Sequence, residues 1–187
     1  MRAKLRVITW DELVAKSMAL ARKIEDSRGP LSFDAIVAVA RGGLVVARLL
    51  SDLLGVKRVA SLQVEYYTGV DERGSRPVIV GGLGADVEGL EVLLVDDVAD
   101  TGETLRLAAE HVRDRKAGGV ATATLYVKPW CRFRPDYFVE VVEEWVVFPY
   151  EHCETARLLV RSGWSIDELA REGLRREILS LIAERET

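Results

Sequence analysis

Residues 93–105, LLVDDVADTGETL, decide how the rest of the chain is read. The run Val92-Leu93-Leu94-Val95 is apolar at every position, as expected of a strand covered on both faces of a parallel sheet. Two acids, Asp96 and Asp97, follow at once. After them come small and hydroxylated residues, Val98-Ala99-Asp100-Thr101-Gly102, and then a helix opening at Glu103. In an open parallel sheet, ligands bind beyond the carboxyl ends of the strands. A loop at that edge aims successive backbone N–H groups, and the positive end of the next helix, at an anion, so the stretch reads as a phosphate site. Gly102 lets the backbone approach closely, while Thr101 and Thr104 add hydroxyl donors. Adjacent carboxylates repel unless compensated. The vicinal hydroxyls of a sugar supply donors, and a Mg²⁺ held by the substrate's oxygens supplies charge.

The surrounding pattern fits such a sheet. Thr9-Trp10-Asp11-Glu12 has capping-box spacing and opens a helix over residues 11–25, which Arg28-Gly29-Pro30 breaks. Residues 33–40 form a short buried strand, Arg41-Gly42-Gly43 a turn, and residues 44–54 a helix stopped by Gly55. Residues 58–66 read as a second strand. From 67 to 89 the pattern dissolves into Gly, Asp, Glu and Arg, the mark of a flexible lid, with a short strand at Val78-Ile79-Val80. The third strand spans 91–97, a helix 103–116, the fourth strand 120–128 and the fifth 137–142. Strand and helix alternate, so the expected class is α/β, a central and mainly parallel sheet flanked by helices. Beyond Tyr150 the chain turns to charged helix, with a second capping box at Ser165-Ile166-Asp167-Glu168. We therefore expect a core over 1–150 and a helical C-terminal extension over 151–187 that serves packing or subunit contact.

Bulk composition narrows the partners. The chain has 187 residues, long enough for a sizeable core, and a net charge of -4. That balance argues against nucleic acid as the main partner, but leaves room for a nucleotide-sized anion bound by local amides and a metal. Two cysteines, Cys131 and Cys153, make no disulfide framework, and no secretory segment or membrane-length apolar run is evident; a cytoplasmic setting is expected. The chain has no Asn and one Gln, Gln63, which fits a heat-adapted source.

The segment 92–104 resembles the PRPP-binding signature of the type I phosphoribosyltransferases: four apolar residues, two acids, two apolar or small residues, then Asp-Thr-Gly-x-Thr. The resemblance implies that Asp96 and Asp97 hold the ribose hydroxyls and Mg²⁺. It implies that Val98, Ala99, Asp100, Thr101, Gly102, Glu103 and Thr104 bind the 5′-phosphate. Asp100 also becomes the catalytic residue, a base or proton carrier at the purine's imidazole nitrogen. Arg41, Gly42 and Gly43 become the pyrophosphate loop, with a cis peptide bond expected at Ala40–Arg41. Tyr66, Tyr67, Arg73 and Arg76 are lid candidates.

Residues 37–50, Lys128-Pro129, Pro135-Asp136-Tyr137 and residues 145–151 most resemble the xanthine-guanine and hypoxanthine-guanine branch. That resemblance makes 128–151 the base-binding segment, with Lys128 donating to the exocyclic oxygen of a 6-oxopurine and Trp145 stacking on its face. Val146 would read the base edge through its backbone, and Glu151 would contact the metal or an exocyclic group. Val147 and Phe148 stand where bacterial relatives carry an acid or polar residue, so the choice among hypoxanthine, guanine and xanthine stays open. The implied partners are PRPP and a purine base, with a homodimer or homotetramer as the assembly. A PRPP-sensing regulator of the same fold, or an enzyme for adenine or uracil, is the alternative. His111 is expected on an exposed helix face, His152 and Cys153 lack zinc spacing with Cys131, and Trp10, Trp130 and Trp164 are read as packing or interface residues.

Overall fold

The apolar runs form the middle of a seven-stranded sheet in the computed structural model, which describes residues 4–67 and 76–183. The chain divides into two compact units: Ala15–Val142, and the N-terminal segment up to Val14 together with the chain from Glu143 onward. In order, the elements are β1 (Leu5–Val7), α1 (Trp10–Arg28), β2 (Ala35–Ala40), α2 (Gly43–Leu53), β3 (Val59–Tyr67), β4 (Arg76–Gly81) and β5 (Glu91–Val95). Then follow β6 (Val98–Ala99), α3 (Glu103–Asp114), β7 (Gly119–Val127), β8 (Tyr137–Val141), β9 (Trp145–Val147), α4 (His152–Arg161), α5 (Ile166–Arg171) and α6 (Arg176–Ala183).

In the larger unit the strand order is β4-β3-β2-β5-β7-β6, and β8 also pairs with β7. All these pairings are parallel except β3 with β4. The period-2 rule sorts the buried side chains. Val37, Val39, Val92 and Leu94 share a core with Leu105, Ala108, Ala109 and Val112 of α3. Ile36, Ala38, Leu93 and Val95 alternate to the opposite face and are also buried. Burying leucines such as Leu93 and Leu94 contributes about 2–3 kcal/mol each, so an uninterrupted apolar run is what a twice-covered strand requires.

The smaller unit pairs β1 with β9 in parallel and packs Leu5 and Val147 against Ala156, Leu159, Leu169, Leu174, Leu179 and Ile182. Both expected capping boxes form: Thr9 and Glu12 exchange backbone and side-chain bonds of 3.1 Å, and Ser165 with Glu168 does the same. Among the described residues no helix is long and apolar enough to cross a membrane.

Several expectations need correction. Within the segment expected as a lid, the strand foreseen at 78–80 extends over Arg76–Gly81 and pairs antiparallel with β3, and Leu83 and Val87 are buried in the core. The expected strand at 78–80 is the apolar centre of β4, whose outer residues Arg76, Pro77 and Gly81 gave no apolar signal because the strand is only half-covered. Strands β1 and β9 went unforeseen because each has three residues, too few for a period to register. His111 is half-buried, not exposed, with Nε2 enclosed.

Candidate active site

At the end of β5 the backbone does something the sequence does not announce. Asp96 N–H still bonds Ala123 O (3.0 Å), but Asp97 O accepts from both Leu125 N–H (3.0 Å) and Tyr126 N–H (3.2 Å). Two donors on one carbonyl end the expected 91–97 strand at Val95. The chain then re-enters the sheet as β6, with Val98 and Ala99 opposite Tyr126 and Val127 of β7. Both acids are held by neighbouring amides: Asp97 N–H donates to Asp96 Oδ1 (3.0 Å), and Val98 N–H donates to Asp97 Oδ1 (2.7 Å).

Burial, and the adjacent Asp97 charge after it, push the Asp96 carboxyl well above the usual carboxylate range, against the opposing pull of the Asp97 and Gly43 amides. Asp97 is buried and Asp96 half-buried, and a pair with that tension is relieved by hydroxyl donors or a divalent cation. Among the described residues no three His, Cys, Asp or Glu side chains gather to hold a metal ion. Asp96 and Asp97 are the adjacent carboxylates that could share a divalent cation with oxygens of a substrate and water.

The short loop after β2 interlocks with this pair. The Ala40–Arg41 peptide bond is cis, as expected, and α2 begins two residues later. Leu44 N–H bonds Arg41 O at 3.1 Å and Val45 N–H bonds Gly42 O at 3.3 Å, so the turn runs straight into the helix. Arg41 is exposed at its head. A Cβ on Gly42 would overlap the Asp97 carboxylate, lying 2.6 Å from Cγ. Glycine is therefore what allows the two loops to touch.

The loop 98–104, the expected phosphate site, closes on Gly102, which caps α3 at φ 85°. A side chain there would meet Phe133 O at 2.5 Å as well as strain the backbone. Ala99 and Gly102 are buried, Asp100, Thr101 and Glu103 are exposed, and Val98 and Thr104 lie between. Thr101 Oγ1 accepts from Glu103 N–H at 3.3 Å, and Thr104 Oγ1 donates to Tyr66 Oη at 3.4 Å, which ties a lid candidate to this loop. Tyr67 and Arg76 face each other in the β3–β4 register, and Arg73 lies outside the described residues.

A third segment flanks the same loop. Lys128 N–H bonds Ala99 O (2.9 Å), and Arg132 N–H bonds Thr101 O (3.0 Å). Between them, Trp130 Nε1–H donates to Asp100 Oδ1 at 2.6 Å. Lys128 is buried at 7% exposure, with Nζ 5.7 Å from the Trp130 ring centroid. Asp136, in the same connection, accepts from Thr122 N–H and Oγ1 at 2.8 Å each. Reading Trp130 as a packing residue missed its contact with Asp100; the only signal was its place two residues after Lys128.

The remaining candidates belong to the smaller unit. Trp145 opens β9, is 38% exposed, and donates its N–H to Lys4 O at 2.9 Å. Val146 is buried in the same strand. Glu151 Oε1 accepts from Phe148 N–H at 2.9 Å, and Glu151 O accepts from Thr155 N–H at the start of α4. His152 is buried, its Nδ1 accepting from Arg175 N–H at 3.4 Å; burial, then the Arg175 charge, hold it below the usual histidine range.

A parallel sheet whose central strand ends in paired acids, with a glycine turn pressed on those acids and a phosphate loop at the next helix, has the layout of a type I phosphoribosyltransferase. Residues 9–154 match the phosphoribosyl transferase domain, and the chain belongs to that family of transferases. It is 34% identical over 155 residues to the xanthine-guanine phosphoribosyltransferase of Gluconobacter oxydans (strain 621H), covering 82% of this chain and 86% of that protein. Against the protein of the same description from Nitratidesulfovibrio vulgaris (strain Hildenborough), identity is 33% over 152 residues, with 79% and 85% covered. Among solved structures, the purine phosphoribosyltransferase of Pyrococcus horikoshii OT3 superposes with a TM-score of 0.70 at 37% identity, covering 79% of this chain and 93% of that one.

Proposed function

We propose that this chain transfers the phosphoribosyl group of PRPP to N9 of a 6-oxopurine, releasing pyrophosphate, in purine salvage. The observation that carries this reading is the backbone bond from Lys128 to Ala99, which sets the main chain of a buried lysine against the loop 98–104. An ammonium donates and never accepts, so it rewards a carbonyl on the base and penalises an amino group.

The chemistry assigns work to each loop. Displacement at the anomeric carbon passes through a cation-like sugar, as in glycosidic cleavage. Asp96 and Asp97 bind the ribose hydroxyls and set negative charge beneath the ring. Residues 98–104 hold the 5′-phosphate on their amides and hydroxyls, while Arg41, Gly42 and Gly43 receive the departing pyrophosphate. Asp100 takes the proton from the imidazole ring of the base. Mg²⁺, when bound beside Asp96 and Asp97, neutralises the pyrophosphate charge. The roles that the family resemblance gives to Trp145, Val146 and Glu151 belong to the same proposal.

The test is incubation with PRPP, Mg²⁺ and each of guanine, hypoxanthine, xanthine, adenine and uracil, following pyrophosphate release. Turnover is expected with one or more of the first three bases. Turnover with adenine alone would overturn the role of Lys128. Tight PRPP binding with no turnover on any base would make the chain a sensor.

A further inference from the structure

Trp130 is 54% exposed, an unusual place for an indole unless something other than packing holds it. Two contacts do. Its Nε1–H donates to Asp100 Oδ1 at 2.6 Å, a short bond with a carboxylate acceptor, and the Lys128 ammonium lies 5.7 Å from its ring centroid. The flanking backbone bonds, Lys128 N–H to Ala99 O and Arg132 N–H to Thr101 O, lock the main chain on both sides of this contact. The indole is thus pinned between the two side chains to which the proposed reaction gives the base.

We infer that Trp130 is a positioning residue for Asp100: its indole N–H engages Oδ1, fixes the carboxylate rotamer, and leaves Oδ2 as the oxygen that receives the purine proton. The inference rests on the proton-carrying role proposed for Asp100. A carboxylate on an exposed loop otherwise samples several staggered rotamers, and only some direct an oxygen at the base. With Oδ1 occupied, the purine N–H proton passes to Oδ2 as N9 bonds to the anomeric carbon. The bond from that carbon to the pyrophosphate oxygen breaks, and its electron pair leaves with pyrophosphate. Trp130 itself touches no reacting atom.

Trp130→Phe keeps an aromatic ring beside Lys128 and removes the donor. The expected result is a fall in kcat of up to about 100-fold, the scale of a catalytic group misplaced by about 1 Å, with the KM for PRPP unchanged. The double variant Trp130→Phe/Asp100→Ala should be no slower than Asp100→Ala alone. In the ligand-free protein, the Trp130 indole N–H resonance, assigned by its loss in Trp130→Phe, should move upfield in Asp100→Ala. An unmoved resonance overturns the inference whatever the turnover. So does wild-type kcat in Trp130→Phe while Asp100→Ala is slow, an outcome that leaves Asp100 in its role. Wild-type turnover in Asp100→Ala removes the Asp100 role itself, and the inference with it.

Discussion

Replacing Gly42 by alanine puts one methyl group where the Asp97 carboxylate now sits. The added Cβ would lie 2.6 Å from Asp97 Cγ and 3.0 Å from Oδ1, so the carboxylate must swing away. Swinging breaks its 2.7 Å bond from Val98 N–H. A hydrogen bond to a charged group contributes about 1.5–3 kcal/mol, and each 1.4 kcal/mol is about tenfold in an equilibrium constant. If ribose binding requires Asp97 in its present place, PRPP affinity in Gly42→Ala should therefore fall by roughly 10- to 100-fold. Isothermal titration with PRPP and Mg²⁺ measures this directly, and circular dichroism checks that the fold persists. Gly84→Ala is the control, because a Cβ there meets nothing within 4 Å. A folded Gly42→Ala that binds PRPP within about threefold of the unaltered chain would show that Asp97 need not hold this position.

Lys128→Met should lower kcat/KM for 6-oxopurines by roughly 10- to 100-fold while PRPP affinity stays within error; a variant equally active on guanine and hypoxanthine would remove the ammonium from base recognition. Asp136→Ala strips the acceptor from Thr122 N–H and Oγ1, and Thr122 is buried. The expected loss is about 2–4 kcal/mol in urea unfolding, and a change below about 0.5 kcal/mol would mean water replaces the carboxylate. Burial pushes the Cys131 thiol up from its ordinary value of 9.0, so the folded chain keeps a proton that the unfolded chain sheds. Stability should fall as pH rises above that value, and iodoacetamide should label half-buried Cys153 well before Cys131, as peptide mapping would report.

The central strands were readable because burial on both faces leaves Ile36 to Val39 and Val92 to Val95 no room for a polar residue. The helix starts were readable because a capping box is a local device, satisfied by Thr9 with Glu12 and by Ser165 with Glu168 regardless of what surrounds them. Strand β4 was legible only at Val78-Ile79-Val80: Arg76, Pro77 and Gly81 join it through backbone pairing with β3 and carry no apolar signal. The paired acids and the glycine turn could each be found in the sequence, but not the fact that Gly42 and Asp97 touch. That contact depends on the parallel register of β2 against β5, which two segments about fifty residues apart do not encode locally. Trp130 failed for a related reason: its partner Asp100 is brought to it by the β6–β7 pairing, a two-residue strand too short to anticipate.

The two bonds that fasten residues 128 and 132 to the phosphate loop run from main chain to main chain. Under the proposed roles, substitution can therefore rewrite the side chains of that segment, and with them the preference for one base over another, while the loop that would grip the sugar phosphate is inherited unchanged. Insertion or deletion has no such freedom. Adding one residue between Lys128 and Arg132 would throw the second bond out of phase with Thr101. Descendants of this chain can thus vary the side chains of this connection while its length stays fixed.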